Sequence, residues 1–182
     1  MSSLRAILEL VFGDLAAAGV EGLLIGGFAV NYYGYTRNTL DVDFLVVADQ
    51  IGPVEACMQR AGFINIERRE NVHFFSHPAS SWRVDFLKVA QETMRPLLQR
   101  AVKARVHEAD VLLPSLPDLL AMKLHALAND PARRLGKDLP DIAWLCILNQ
   151  LDAEQILRPL CKKYATPELE RMIFEHLQAL EA

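Results

Sequence analysis

Residues 26–47, GGFAVNYYGYTRNTLDVDFLVV, decide how the rest of the chain is read. Two glycines open the stretch, and Asp41 and Asp43 stand i and i+2 at the start of an apolar run. Alternate residues of a strand share a face, so the two carboxylates project together while Val42, Phe44 and Val46 point the other way. Side by side such carboxylates repel, and unless a cation lies between them one tends to keep its proton. Mg²⁺ takes clustered oxygen ligands and completes its shell with water and substrate phosphate. A bare D-x-D more often does no more than open a strand, with Thr39 and Asp41 at its start and Asp43 a solvated edge carboxylate. The surroundings move the reading toward a phosphate-handling metal site.

Leu23, Leu24 and Ile25 read as a short strand that ends at Gly26-Gly27, where missing side chains let a phosphate approach backbone N–H groups. Residues 28–33 read as a brief helix with its N-terminus toward that phosphate. A second strand follows at 42–47. A third, at 82–89, carries Asp85 between Val84 and Phe86, and a carboxylate in an apolar strand is costly unless paired or bound to metal. Three acids thus fall on two neighbouring strands of a mixed sheet, since a helix and a hairpin intervene between them.

The string G-G-x6-G-x2-R-x-T-x-D-x-D, the later strand Asp and the helical S-L-x-D-L-x-A-x-K at 115–123 together resemble the nucleotidyltransferase superfamily of DNA polymerase beta type. Within it, the chain is most similar to AbiEii-type toxin-like nucleotidyltransferases, from about Leu23 to Leu145. The resemblance implies an α/β (α+β) fold, a small mixed sheet with flanking helices and a C-terminal helical part that closes the cleft. It implies that Gly26 and Gly27 hold a nucleoside triphosphate and that Asp41, Asp43 and Asp85 bind Mg²⁺ or Mn²⁺. Arg37 and Thr39 are the R and T of the string, on the nucleotide side. Lys123 and the KDLPD segment, with Lys137 and Asp141, match a helical Lys and a K-D-x-x-D-L pattern of the same site. Two departures stand out: the turn is Gly-Gly where many members carry Gly-Ser, and Pro140 lies inside the KDxxD segment, where the first turn of a helix tolerates it. The implied reaction moves a nucleoside monophosphate from NTP to a hydroxyl of tRNA, protein or a small molecule. A toxin role with an antitoxin-like partner protein is implied by the same resemblance, and a catalytically inactive binding or regulatory protein is the alternative.

The whole chain, 182 residues with 52% hydrophobic and 23% charged side chains, suits an ordinary globular protein with a sizeable core. It divides at Pro114 into an expected α/β core, 1–113, and a helical part, 114–182. No apolar run is long enough to cross a bilayer and residues 1–10 lack signal-peptide character, so a cytoplasmic location is expected. Cys57, Cys146 and Cys161 show no metal-ligand spacing and read as reduced core residues. A net charge of −4 speaks against wholesale nucleic-acid coating. The short basic runs at 68–69, 133–137 and 162–163 read as solvated faces.

The periodicity predicts helices over 2–18, 51–61, 92–101, 153–164 and 167–180, strands over 63–66 and 72–75, and one extended segment over 106–113. The last helix is amphipathic and fits either an intramolecular contact or a homodimer. Ser115 and Asp118 form an expected capping box. Lys123, alone among leucines, either snorkels to water or points into a cleft at phosphate or acid. Residues 129–137, NDPARRLGK, read as a mobile basic loop. Asp138 then caps a helix that begins near it, and Asp141 reaches Lys123 or Lys137.

Overall fold

The computed structural model describes residues 3–181; Ser2, the expected start of the first helix, lies outside them, as does Ala182. The chain separates into two compact units. One comprises the chain up to Ala29 with Arg37–Ser115, the other Val30–Thr36 with Leu116 onward.

The first unit opens with α1 (Leu4–Glu9), capped by Ser3, whose hydroxyl accepts the Ala6 N–H at 3.2 Å. A π-helical segment, Leu10–Leu15, extends it. There follow β1 (Gly22–Leu24), α2 (Gly26–Tyr32), which runs on into the second unit, β2 (Asp41–Val47), α3 (Ile51–Arg60), β3 (Ile64–Arg68), β4 (Val72–Ser76), β5 (Arg83–Val89) and α4 (Gln91–Gln99). The five strands form one sheet in the order β1-β2-β5-β4-β3, with β2 and β5 parallel and all other neighbours antiparallel. The sheet is mixed because β2 reaches β5 through α3 and the β3–β4 hairpin, a connection long enough for a parallel return.

The pleat sorts β2 as its alternation requires. Val42, Phe44 and Val46 are fully buried, and Phe44 stacks on Phe86 at 5.3 Å and meets Phe12 edge-on at 5.8 Å. Phe75 meets Phe86 edge-on at 5.7 Å. Burying each such ring contributes about 1.5–3 kcal/mol, and this aromatic face fixes which side the acids occupy.

Residues 102–113 differ from the single extended segment expected over 106–113. They form a hairpin of β6 (Val102–Val106) and β7 (Ala109–Leu113), closed by His107 and Glu108 at φ 45° and 66°. Two consecutive left-handed residues make the turn that suits a two-residue hairpin, but Asn-Gly is the sequence that usually announces it. His-Glu gives no such signal.

The second unit is helical: α5 (Leu116–Asn129), α6 (Pro131–Leu148), a π-helical turn Ala153–Leu157, α7 (Arg158–Tyr164) and α8 (Pro167–Glu181). The expected loop at 129–137 is the end of α5 and the first turns of α6. Asp130 caps α6 by accepting the Arg133 N–H, and Pro131 sits at the first helical position, where its missing N–H costs nothing. Segment 30–36 is fastened to the end of α6: Asn149 Nδ2 donates to the Tyr33 carbonyl at 2.9 Å and Tyr35 stacks on Trp144 at 5.9 Å. Among the described residues no helix is long and apolar enough to cross a membrane.

Candidate active site

Parallel pairing of β2 with β5 puts Asp41 opposite Arg83 and Asp43 opposite Asp85. The acids and Arg83 therefore share one face of the sheet, the face away from the Phe44–Phe86 stack. Arg83 lies among them. Its Nη2 is 2.8 Å from Asp41 Oδ2 and 2.8 Å from Asp85 Oδ2, and its Nε is 2.8 Å from Asp85 Oδ1. Two carboxylates from neighbouring strands thus meet on one nitrogen, so their oxygens lie no farther apart than twice that distance.

The Gly-Gly turn is shaped around the same acids. Gly26 has φ +63°, and a Cβ there would lie 1.9 Å from Asp43 Oδ2 and 2.9 Å from Asp43 Cβ. Glycine is required twice over, by the left-handed backbone and by the carboxylate against it. A Cβ on Gly27 would meet the Thr39 side chain at 2.7 Å. Thr39 Oγ1 in turn donates to the Asp41 carbonyl at 3.1 Å, and the Ile25 N–H donates to the Asp43 carbonyl at 2.9 Å. Gly26, Gly27, Thr39, Asp41, Asp43 and Asp85 are therefore brought together within the first unit. Arg37 reaches the Asn38 carbonyl at 3.4 Å.

Asp85 is 4% exposed. Burial raises its carboxyl to about 6, with Asp43 and Asp41 pushing the same way and the Arg83 hydrogen bonds pulling against them. An acid that holds its proton more tightly when folded is most favourable to folding when protonated, and that contribution is lost as pH rises from about 4 to about 6. Asp85→Asn carries no charge at any pH. Its metal-free Tm, relative to wild type, is expected to rise across that window and stay level above it. A difference independent of pH would show that the Arg83 pair fully offsets burial.

In the second unit, α5 presents Lys123 to α6. Its Nζ lies 2.7 Å from Asp138 Oδ1 and 2.7 Å from Asp141 Oδ2. All three residues are buried, both acids completely. Asp138 Oδ2 has no hydrogen-bond partner among the described residues, and Arg134 Nη1 at 3.5 Å supplies a counter-charge. Asp138 is thus a partner of Lys123 rather than a helix cap, because α6 begins at Pro131. Asp141 meets Lys123, one of its two expected partners, and Lys137 is exposed.

A family model described as nucleotidyl transferase AbiEii toxin, type IV toxin–antitoxin system, matches residues 14–181. The chain belongs to the AbiEii nucleotidyltransferase family. No curated protein matches this AbiEii-family chain. It is similar in structure to ANT(2'')-Ia in complex with adenylyl-2''-tobramycin, at 15% identity over 88% of this chain and 98% of that one, with a TM-score of 0.66. An antigenic nucleotidyltransferase-like protein from Paracoccidioides brasiliensis is similar at 19% identity over 95% and 94% of the two chains, TM-score 0.59. The lincosamide antibiotic adenylyltransferase LnuA, lincomycin-bound, is similar at 13% identity over 80% and 98%, TM-score 0.55. These likenesses show that the AbiEii-family chain has a nucleotidyltransferase fold.

Among the described residues no group of three or more His, Cys, Asp or Glu side chains converges as a metal cage. The donor set nonetheless fits an oxygen-loving divalent ion: it is all carboxylate, and two of its oxygens already share a single cation, Arg83. Sequence reading of the AbiEii-family chain missed Arg83. The signal was the spacing R-x-D in β5, which puts the guanidinium two residues from Asp85 on the same face.

Proposed function

We propose that the chain is a cytoplasmic, metal-dependent nucleotidyltransferase that transfers NMP from NTP to a hydroxyl. The observation that carries the reading is the meeting of Asp41 and Asp85 on one cation, beside a Gly-Gly turn pressed against Asp43. Asp41, Asp43 and Asp85 would hold one or two Mg²⁺ or Mn²⁺ ions, which, when bound, neutralise phosphate charge and favour ionisation of the acceptor hydroxyl. The backbone N–H groups at Gly26 and Gly27 bind triphosphate oxygens, and Thr39 braces that turn. Arg37 adds positive charge on the phosphate side. The acceptor oxygen bonds to the α-phosphorus, the bond from that phosphorus to the β-phosphate oxygen breaks, and pyrophosphate leaves. The hydroxyl proton passes to the Asp85 carboxylate, or to water where Asp85 holds metal.

Acceptors in keeping with the family are an RNA end such as tRNA, a protein hydroxyl or a small molecule; tobramycin carries the adenylyl group in the ANT(2'')-Ia complex. Membership of the AbiEii family supports a toxin role in a two-component or phage-defence unit with an antitoxin-like partner protein. A second reading, a nucleotide-binding regulator without turnover, is favoured by Arg83, which neutralises the carboxylates as a metal would.

Thermal shift with each of the four NTPs, with and without Mg²⁺ or Mn²⁺, tests the site. A ligand that binds the native state alone adds about 2.7 kcal/mol at a hundredfold excess over Kd. A metal-dependent rise in Tm that Asp43→Ala abolishes is expected, followed by transfer of label from the α-phosphate. No rise with any nucleotide would overturn the reading, and a rise without transfer to any acceptor class would favour the regulator.

A further inference from the structure

We infer that Arg83 is the resident counter-cation of the carboxylate site, held there until a divalent ion displaces it. The inference rests on the metal-binding reading above and adds how that metal gains entry.

Three strand carboxylates in this register repel one another, and one of them, Asp85, is 4% exposed. Arg83 answers both problems. Three hydrogen bonds at 2.8–3.2 Å join its Nε and Nη2 to the two oxygens of Asp85, and the same Nη2 reaches Asp41. A planar fork of this kind suits a carboxylate in a way a lysine ammonium does not. Phe74, opposite Asp85 on β4, lies under the guanidinium at 5.2 Å and holds it close to the acids. The Arg83 side chain is 43% exposed, so it has room to leave.

A purely structural ion pair would need one acid. Arg83 takes two, from different strands, and both belong to the set expected to bind metal. A divalent ion would need the lone pairs that the guanidinium now occupies, and two cations within that span repel strongly. Metal binding at this site is therefore an exchange: Arg83 must release Asp41 and Asp85 as the ion takes them. The free metal ion binds weakly for that reason. A metal that arrives with a triphosphate brings the anionic groups that the released guanidinium can face.

The test is the affinity of the full-length protein for Mn²⁺ alone, read from the loss of the free-ion electron paramagnetic resonance signal at about pH 8, where carboxyls are ionised. Arg83→Gln removes the competing charge and is expected to bind Mn²⁺ about tenfold more tightly than wild type. Arg83→Lys keeps the charge without the fork and is expected to fall between them; it also serves should Arg83→Gln not fold by circular dichroism. Asp43→Asn keeps Arg83 with Asp41 and Asp85 but loses a metal ligand, so Mn²⁺ binding should weaken. If Asp43→Asn weakens binding while Arg83→Gln and Arg83→Lys bind Mn²⁺ no more tightly than wild type, the exchange is overturned and the metal site stands. If Mn²⁺ binds wild type, Arg83→Gln and Asp43→Asn alike, or binds none of them, the metal reading fails and the exchange falls with it.

Discussion

Lys123→Met is expected to destabilise the protein by about 3–5 kcal/mol, the usual cost of removing one partner from a buried ion cluster. Lys123 is 6% exposed and holds two fully buried carboxylates, each at 2.7 Å. Methionine fills much the same volume, so the loss is electrostatic rather than steric. Without the ammonium, the two buried acids lose their shared cation, and Arg134 lies 3.5 Å from the Asp138 oxygen that has no hydrogen-bond partner among the described residues. A fall in Tm of about 10 °C should follow for a chain of this size. The triple change Lys123→Met, Asp138→Leu and Asp141→Leu separates stability from function. Replacing a whole buried ion cluster with apolar side chains is often neutral or stabilising, so the triple variant should regain most of the lost Tm. If it regains stability but loses nucleotide transfer, the cluster is present for function. Should Lys123→Met melt like wild type, the ammonium adds no net stability to the buried cluster, and its removal costs nothing that the apolar methionine does not restore.

Where side-chain period fixed the outcome, the sequence was informative. The i, i+2 spacing of Asp41 and Asp43 and the apolar identity of Val42, Phe44 and Val46 made one face of β2 readable, because only that assignment buries the apolar set. Asp85 followed from its isolation in an apolar strand. Arg83 was not seen because its meaning lies across the sheet: its partner Asp41 is on another strand, and parallel register is not written in either strand alone. The start of α6 was misread for a local reason. NDPARRLGK carries Pro and Gly and looks like a loop, whereas Asp130 followed by Pro131 is a cap and first helical residue. Placing that start about two turns earlier turned Asp138 from a cap into a buried partner of Lys123. The 102–113 hairpin escaped because its two left-handed positions hold His and Glu, which carry no turn signal; in the fold His107 meets Phe28 edge-on and Glu108 pairs with Arg5.

Gly26→Ala is expected to cost about 2–5 kcal/mol and to remove metal-dependent nucleotide binding, and the two effects should share one cause. An alanine at φ +63° costs about 1–2 kcal/mol in any surroundings. The remainder comes from crowding: the new Cβ would lie 1.9, 2.7 and 2.9 Å from the Oδ2, Cγ and Cβ of Asp43. Rotating the carboxylate clears the first two but not the third, so the turn or strand β2 must also shift, with an overpacking cost of about 1–3 kcal/mol. Urea unfolding of Gly26→Ala in wild-type and Asp43→Ala backgrounds isolates this contact. In the Asp43→Ala background most of the crowding is gone, and the cost should fall toward the backbone value, a coupling of at least about 1 kcal/mol. Equal costs in the two backgrounds would mean that Gly26 serves its own backbone angle alone and that the Asp43 carboxylate is not held against the turn. A coupling of the expected size would show that the glycine and the acid form one unit, and the nucleotide-dependent shift lost in either single variant should then be no further reduced in the double.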